Sequence, residues 1–247
     1  MTTKREHFET MLNALHEKGQ FNGVLLAAEN GEIIAELAFG KAELPGGRKL
    51  TVRSVFELAS VSKPFTATAI LVLARQGKLA YDDGIERWLP DFPYPGITIR
   101  HLLTHTSGLP DYMELFINRW DKRRIACNED VVRLLTSYKP DPHFPPNEQW
   151  QYSNTGYVLL AVIVERASGK PFAEFMRDCV FDPLGMTETR VYNRRYRPEK
   201  LADYAFGYVY DARSGEFVLP DELAETSYVE YLDGIQGDGT VNSNVRD

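Results

Sequence analysis

The chain has 247 residues, 43% hydrophobic and 26% charged, with a net charge of -7. That balance suits a globular chain with a sizeable core. The acidic surplus and the lack of any basic run argue against a nucleic-acid surface and against anionic membranes. Cys127 and Cys179 stand alone, in no metal-binding spacing, and read as buried thiols, with a disulfide left open. No stretch is apolar enough to span a bilayer, and residues 1–7 lead into an amphipathic segment rather than a hydrophobic leader. As written, the sequence reads as cytoplasmic; removal of a leader from a periplasmic or secreted protein leaves the same picture.

Phe8, Met11, Leu12 and Leu15 predict a helix over 4–18, stopped by Gly19. Asn30-Gly31 between the apolar runs Gly23–Glu29 and Glu32–Phe39 predicts a hairpin, because both turn residues tolerate positive φ. After the loop Pro45-Gly46-Gly47, the run Val55–Leu58 leads to Ser60, and a helix continues to about Gln76. This helix is apolar enough to predict burial nearly all round, with Pro64 tolerated in its first turn. Residues 81–96 read as irregular, and Thr98 caps a short helix through Leu103. Further helices are predicted over 129–138 (capped by Asn128), 156–168 and 172–180, and a second hairpin around 211–216. No internal repeat, low-complexity segment or linker divides the chain, which reads as a single domain over 1–247 with an inner helical region at about 81–190.

Three groups of residues carry chemistry. Ser60 and Lys63 are three apart at a helix start, so hydroxyl and amine share a face near the positive end of the helix dipole. An amine that takes the serine proton there makes a nucleophile; the plainer alternative is a capping serine and a solvated lysine. His101 and His105 have the spacing of two metal ligands on a helix, but Leu102 stands where a zinc protease carries Glu. Local hydrogen bonding by the two imidazoles is the competing reading. Tyr152-Ser153-Asn154 lies on an extended loop before an apolar helix, where a phenol and an amide can move a proton and orient a carbonyl, or simply pack and cap.

Taken in order, Phe56–Lys63, Leu102–Pro110, Tyr152–Tyr157 and Pro183–Met186 closely resemble the serine β-lactamase and penicillin-binding-protein superfamily. The closest branch is the class C, D-alanyl-D-alanine carboxypeptidase and family VIII esterase type, with Y-x-N as second motif. The resemblance runs from about Gly23 onward. It implies an α+β fold, an antiparallel sheet flanked by helices plus an all-helical region, and an acyl-enzyme hydrolase without cofactor or metal. In that reading Ser60 is the nucleophile, Lys63 and Tyr152 move its proton, and Asn154 holds the acyl side of the substrate. The acylation base stays open between Lys63 and Tyr152. The substrate would be a D-alanyl peptide, a β-lactam or a small ester. A non-catalytic peptide- or cell-wall-ligand-binding protein on the same scaffold is the alternative.

The family's third motif, K/H-T/S-G on a strand late in the chain, has no match in the right place. His105-Thr106-Ser107-Gly108 falls between the first two motifs, and Arg213-Ser214-Gly215 sits in a predicted hairpin turn and too early. Residues 237–247 resemble the Gly-rich segment that leads into a helix, so the sheet is expected to be incomplete. With one oxyanion donor missing, a rate loss of ~10²–10³ and weak or no activity are expected. Asp111, Tyr112 and Trp150 are further candidates to border the cleft.

Overall fold

The computed structural model describes residues 3–44, 46–197 and 201–247. Helix α1 (Lys4–Glu17) opens with a capping box, in which Thr3 accepts the Glu6 N–H and Glu6 accepts the Thr3 N–H. Strands β1 (Gly23–Glu29) and β2 (Glu32–Phe39) form the predicted hairpin, with Asn30 and Gly31 at φ 51° and 85°. One face of the hairpin meets α1 through Leu12, Ala35 and Leu37, a small core of its own.

The main core is built around α6 (Asn154–Ser168), where every residue from Thr155 to Val164 is buried. A helix apolar on all sides needs neighbours on all sides. They are α2 (Lys63–Arg75), α3 (Ile99–Leu103), α5 (Asn128–Tyr138) and α7 (Phe172–Met176). The expectation that α2 is buried nearly all round is corrected. Lys63, Thr66, Ala69, Ile70 and Leu73 face inward, while Leu71 is 47% exposed. Packed on α6, α7 and the Arg177–Phe181 turn, α2 leaves Pro64, Leu71 and Arg75 to solvent.

A helix that the hydrophobic pattern did not suggest, α4 (Tyr112–Arg119), starts at Asp111, whose carboxylate accepts the Met113 N–H at 2.9 Å. The cap of α5 is Cys127 rather than Asn128. Asn128 is the first helical residue, and its side-chain oxygen accepts the Gln236 N–H at 2.7 Å. Both cysteines are free and half-buried rather than fully buried. The segment 172–180 begins as α7 and continues as a wider π-type turn, Arg177–Phe181.

The fold is α+β, and among the described residues its antiparallel pairing is divided among three small sheets rather than gathered in one. Besides β1–β2, there is a three-stranded sheet of β3 (Phe56–Glu57), β4 (Arg190–Val191) and β7 (Val241–Ser243), with β7 central. The third is the hairpin of β5 (Val209–Asp211) and β6 (Glu216–Val218), whose turn holds Arg213-Ser214-Gly215. A four-residue helix, α8 (Tyr228–Tyr231), precedes the Gly-rich segment, which enters strand β7 before any helix. No helix among the described residues is long and apolar enough to cross a membrane.

Candidate active site

Strand β3 hands the chain to a tight turn, Ala59–Ser62, of 3₁₀ type, and α2 begins at Lys63. With three residues per turn, Ser60 and Lys63 eclipse one another more closely than in an α-helix. Lys63 Nζ lies 3.1 Å from Ser60 Oγ. Ala59 pays for this turn with φ 45°, a left-handed conformation that costs a residue bearing Cβ about 1–2 kcal/mol.

Lys63 is 4% exposed. A lysine so enclosed needs acceptors for its protons, and it has three: Ser60 Oγ, Asn154 Oδ1 at 2.9 Å and the Asp238 carbonyl at 2.8 Å. Its Nζ also stands 4.9 Å from the Tyr152 ring centre and 5.7 Å from that of Tyr157. Asn154 opens α6, and Ser153 caps that helix by accepting the Gly156 N–H at 3.1 Å. Ser153 rather than Asn154 therefore does the capping, which leaves the Asn154 amide to Lys63.

Tyr152 is 46% exposed, and its phenol lies 2.7 Å from Ser60 Oγ. The structure thus brings together all four residues singled out in the sequence: Ser60, Lys63, Tyr152 and Asn154. The two histidines do not pair. Nδ1 of His101 accepts the Thr98 N–H at 3.2 Å, and Nδ1 of His105 accepts the Ser153 N–H at 3.1 Å. Among the described residues no group of three or more His, Cys, Asp or Glu side chains is placed to hold a metal ion. Burial pushes both imidazoles below their ordinary value, and for His105 the nearby Lys63 adds to the effect.

Of the residues expected at the cleft, Asp111 caps α4, Trp150 is 67% exposed beside His105, and Tyr112 is buried. The Tyr112 phenol donates to Asp238 Oδ2 at 3.0 Å. Burial raises the Asp238 carboxyl above the usual range, against the opposing pull of Lys63 and of the phenol. Sequence reasoning missed Asp238, because a lone Asp between two glycines carries no motif. The only available signal was its place in the Gly-rich segment. Tyr112, Asp238, Gly239, Tyr192, Tyr204 and Phe206 line a cavity of about 240 Å³.

The sequence profile described as Beta-lactamase matches residues 8–247. The chain belongs to the beta-lactamase family. It is 58% identical to penicillin-binding protein 4* of Bacillus subtilis over 244 residues, covering 99% of this chain and 54% of that protein. It is 38% identical to the esterase EstB of Burkholderia gladioli over 192 residues, 71% of this chain and 48% of the relative. The chain spans about half the length of these curated relatives. Among solved structures, a penicillin-binding protein from Bacillus halodurans superposes with a TM-score of 0.78 at 30% identity, over 95% of this chain and 69% of that one.

Proposed function

We propose that this chain carries the nucleophile of a serine acyl hydrolase that works through an acyl-enzyme on Ser60. The observation that supports the reading is the clustering on one oxygen: Ser60 Oγ has the Tyr152 phenol at 2.7 Å and Lys63 Nζ at 3.1 Å. Ser60 Oγ attacks the carbonyl carbon of an ester, amide or lactam, and its proton passes into the Lys63–Tyr152 pair. Tyr152, the more exposed of the two, returns that proton to the leaving group as the carbonyl–heteroatom bond breaks. Water then cleaves the acyl–Ser60 ester by the reverse proton path. The Ser60 backbone N–H, at the start of a helical turn, supplies one oxyanion donor. Asn154, fixed by Lys63, turns its amide nitrogen to the acyl side of the substrate.

The relatives include a penicillin-binding protein, an esterase and a D-amino acid amidase, which favours a small acyl donor or a short peptide as substrate. A labelled fluorophosphonate and a labelled penicillin test the reading. Intact mass should show one adduct, mapped to Ser60 and lost in Ser60→Ala. Failure of both reagents to modify Ser60 would leave a ligand-binding protein on the same scaffold.

A further inference from the structure

His105 grips four consecutive residues of the loop that carries Tyr152. Its ring meets Trp150 edge-on at 6.0 Å, its carbonyl accepts the Gln151 N–H at 2.9 Å, its ring stacks on Tyr152 at 4.8 Å and 29°, and its Nδ1 accepts the Ser153 N–H. From the other side the ring leans on Tyr157 of α6 at 5.1 Å. His105 does this from φ 60°, an uncommon backbone conformation for a residue with a side chain. The half-exposed Tyr152 ring thus has the His105 face stacked on it and Lys63 Nζ 4.9 Å from its centre.

We propose that His105 is a positioning residue for the reaction: its neutral ring, accepting at Nδ1, fixes the Tyr152–Ser153 backbone so that the phenol stays on Ser60 Oγ. The inference rests on the acyl-hydrolase reading for its consequence, but not for its geometry. An Nδ1 that accepts from a backbone N–H carries no proton, so the ring is the Nε2–H tautomer. Protonation would set a donor against a donor and place a second cation beside Lys63. The groups that face the ring are Lys63 from α2, Tyr157 from α6, and Trp150, Tyr152 and Ser153 from the loop. Of these, Lys63 carries the charge that acts on it. Burial and that charge both keep the ring neutral at physiological pH, and acid should release the loop.

Three variants separate the parts of this grip. His105→Ala removes both the acceptor and the stack. His105→Phe keeps an aromatic face without an acceptor. His105→Asn places an amide oxygen near the Nδ1 position and tolerates positive φ. The rate of fluorophosphonate adduct formation on Ser60 is followed from pH 5 to 8, alongside hydrogen exchange of the Ser153 amide and the ¹⁵N signal of the His105 ring. Expected are a loss of about 10–10² in rate for His105→Ala, a smaller loss for His105→Asn than for His105→Phe, and an imidazole-dependent acid limb absent from His105→Asn. Ser153 exchange should quicken in His105→Ala and slow again in His105→Asn.

Equal rates and equal Ser153 exchange in wild type and His105→Ala would overturn the inference while leaving the hydrolase reading intact. So would His105→Phe outperforming His105→Asn, an order that stays readable if His105→Ala does not fold. A wild type that forms no adduct but loses Ser153 protection in His105→Ala removes the hydrolase reading, and still supports His105 as the anchor of this loop.

Discussion

Thr66 donates its hydroxyl to the Gly237 carbonyl at 2.7 Å, joining α2 to a residue 171 positions later. Two further bonds lie alongside: Lys63 Nζ to the Asp238 carbonyl at 2.8 Å, and the Val241 N–H to Ser62 Oγ at 2.9 Å. The Gly-rich segment therefore lies along the base of α2 and supplies an acceptor to the lysine of the site. Gly237 has φ 103°, and a Cβ there would come within 2.5 Å of the Tyr157 carbonyl and 2.6 Å of Ala161 Cβ. Gly237→Ala should destabilise the chain by about 2 kcal/mol or more, because strain and overpacking add at one position. It should also slow Ser60 labelling as the Asp238 carbonyl shifts. Thermal melting and adduct formation measured on the same sample check both; an unchanged melting temperature would contradict the packing argument.

Lys63 carries structure as well as chemistry. Lys63→Met keeps the length of the side chain but leaves Asn154 Oδ1 and the Asp238 carbonyl without their donor. Each such loss in a partly buried setting costs about 1–3 kcal/mol. We expect a lower denaturation midpoint together with loss of Ser60 modification. A variant that lost reactivity at full stability would mean that water replaces the amine.

Tyr152→Phe separates the two roles by the opposite route. The ring is half in solvent and its stacking on His105 survives the change, so stability should stay within about 0.5 kcal/mol. Ser60 acylation should fall by about 10²–10⁴, the usual weight of a positioned proton-transfer group. Stopped-flow acylation with a nitrophenyl ester measures it, and a wild-type rate would assign the proton transfer to Lys63 alone.

The local signals in the sequence were strong where chemistry or turn geometry is short-range. Asn30-Gly31 fixed the hairpin through positive φ, and Gly19, Gly77 and Gly169 ended their helices as expected. The pairing of Ser60 with Lys63 followed from helical spacing. Their meeting with Tyr152 and Asn154 did not, since no local rule links residues 91 positions apart; it became legible through the order of motifs that the resemblance supplied. Long-range polar contacts outside those motifs escaped. Asn128 reads as a cap but satisfies Gln236, and His105 reads as a possible ligand but binds a loop 48 residues away. Helix α4 was missed because residues 111–119 mix polar and apolar types closely, and its first turn is tied by the Tyr112 N–H to Thr155 Oγ1 at 2.9 Å.

Asp238 gives a prediction with a definite sign. Burial raises its folded value above 3.8, so the native chain keeps this proton to higher pH than the unfolded chain does. Its contribution is fully present below about pH 3.8 and is lost as pH rises through the folded value. Asp238→Asn lacks that loss. Urea midpoints of the two proteins should therefore shift in favour of Asp238→Asn between pH 4 and pH 7. A difference that stays flat, or moves toward wild type, would show that Lys63 and Tyr112 outweigh the burial.

Ala59 offers a gain rather than a loss. At φ 45° a glycine carries no Cβ penalty, so Ala59→Gly should stabilise the folded chain by about 1 kcal/mol, less the extra freedom of glycine when unfolded. Differential scanning calorimetry should find a higher melting temperature with Ser60 labelling retained. A lower one would mean that neighbouring contacts already absorb the strain.

The small core of Leu12, Ala35 and Leu37 is separate from the one around α6. A two-stranded hairpin is marginal on its own in water, and this one has only α1 on its apolar face, through a core of three buried residues. An ion pair fastens Arg246, beyond β7, to Glu36 on β2, and Val24 and Ala38 pack on a further patch of Ala42, Leu50 and Ala205. Warming should accordingly melt this molecule in two stages, the amino-terminal layer peeling away first while the Ser60 pocket stays closed. A protease added at that intermediate temperature would trim residues before Ser60 and leave a reactive remnant.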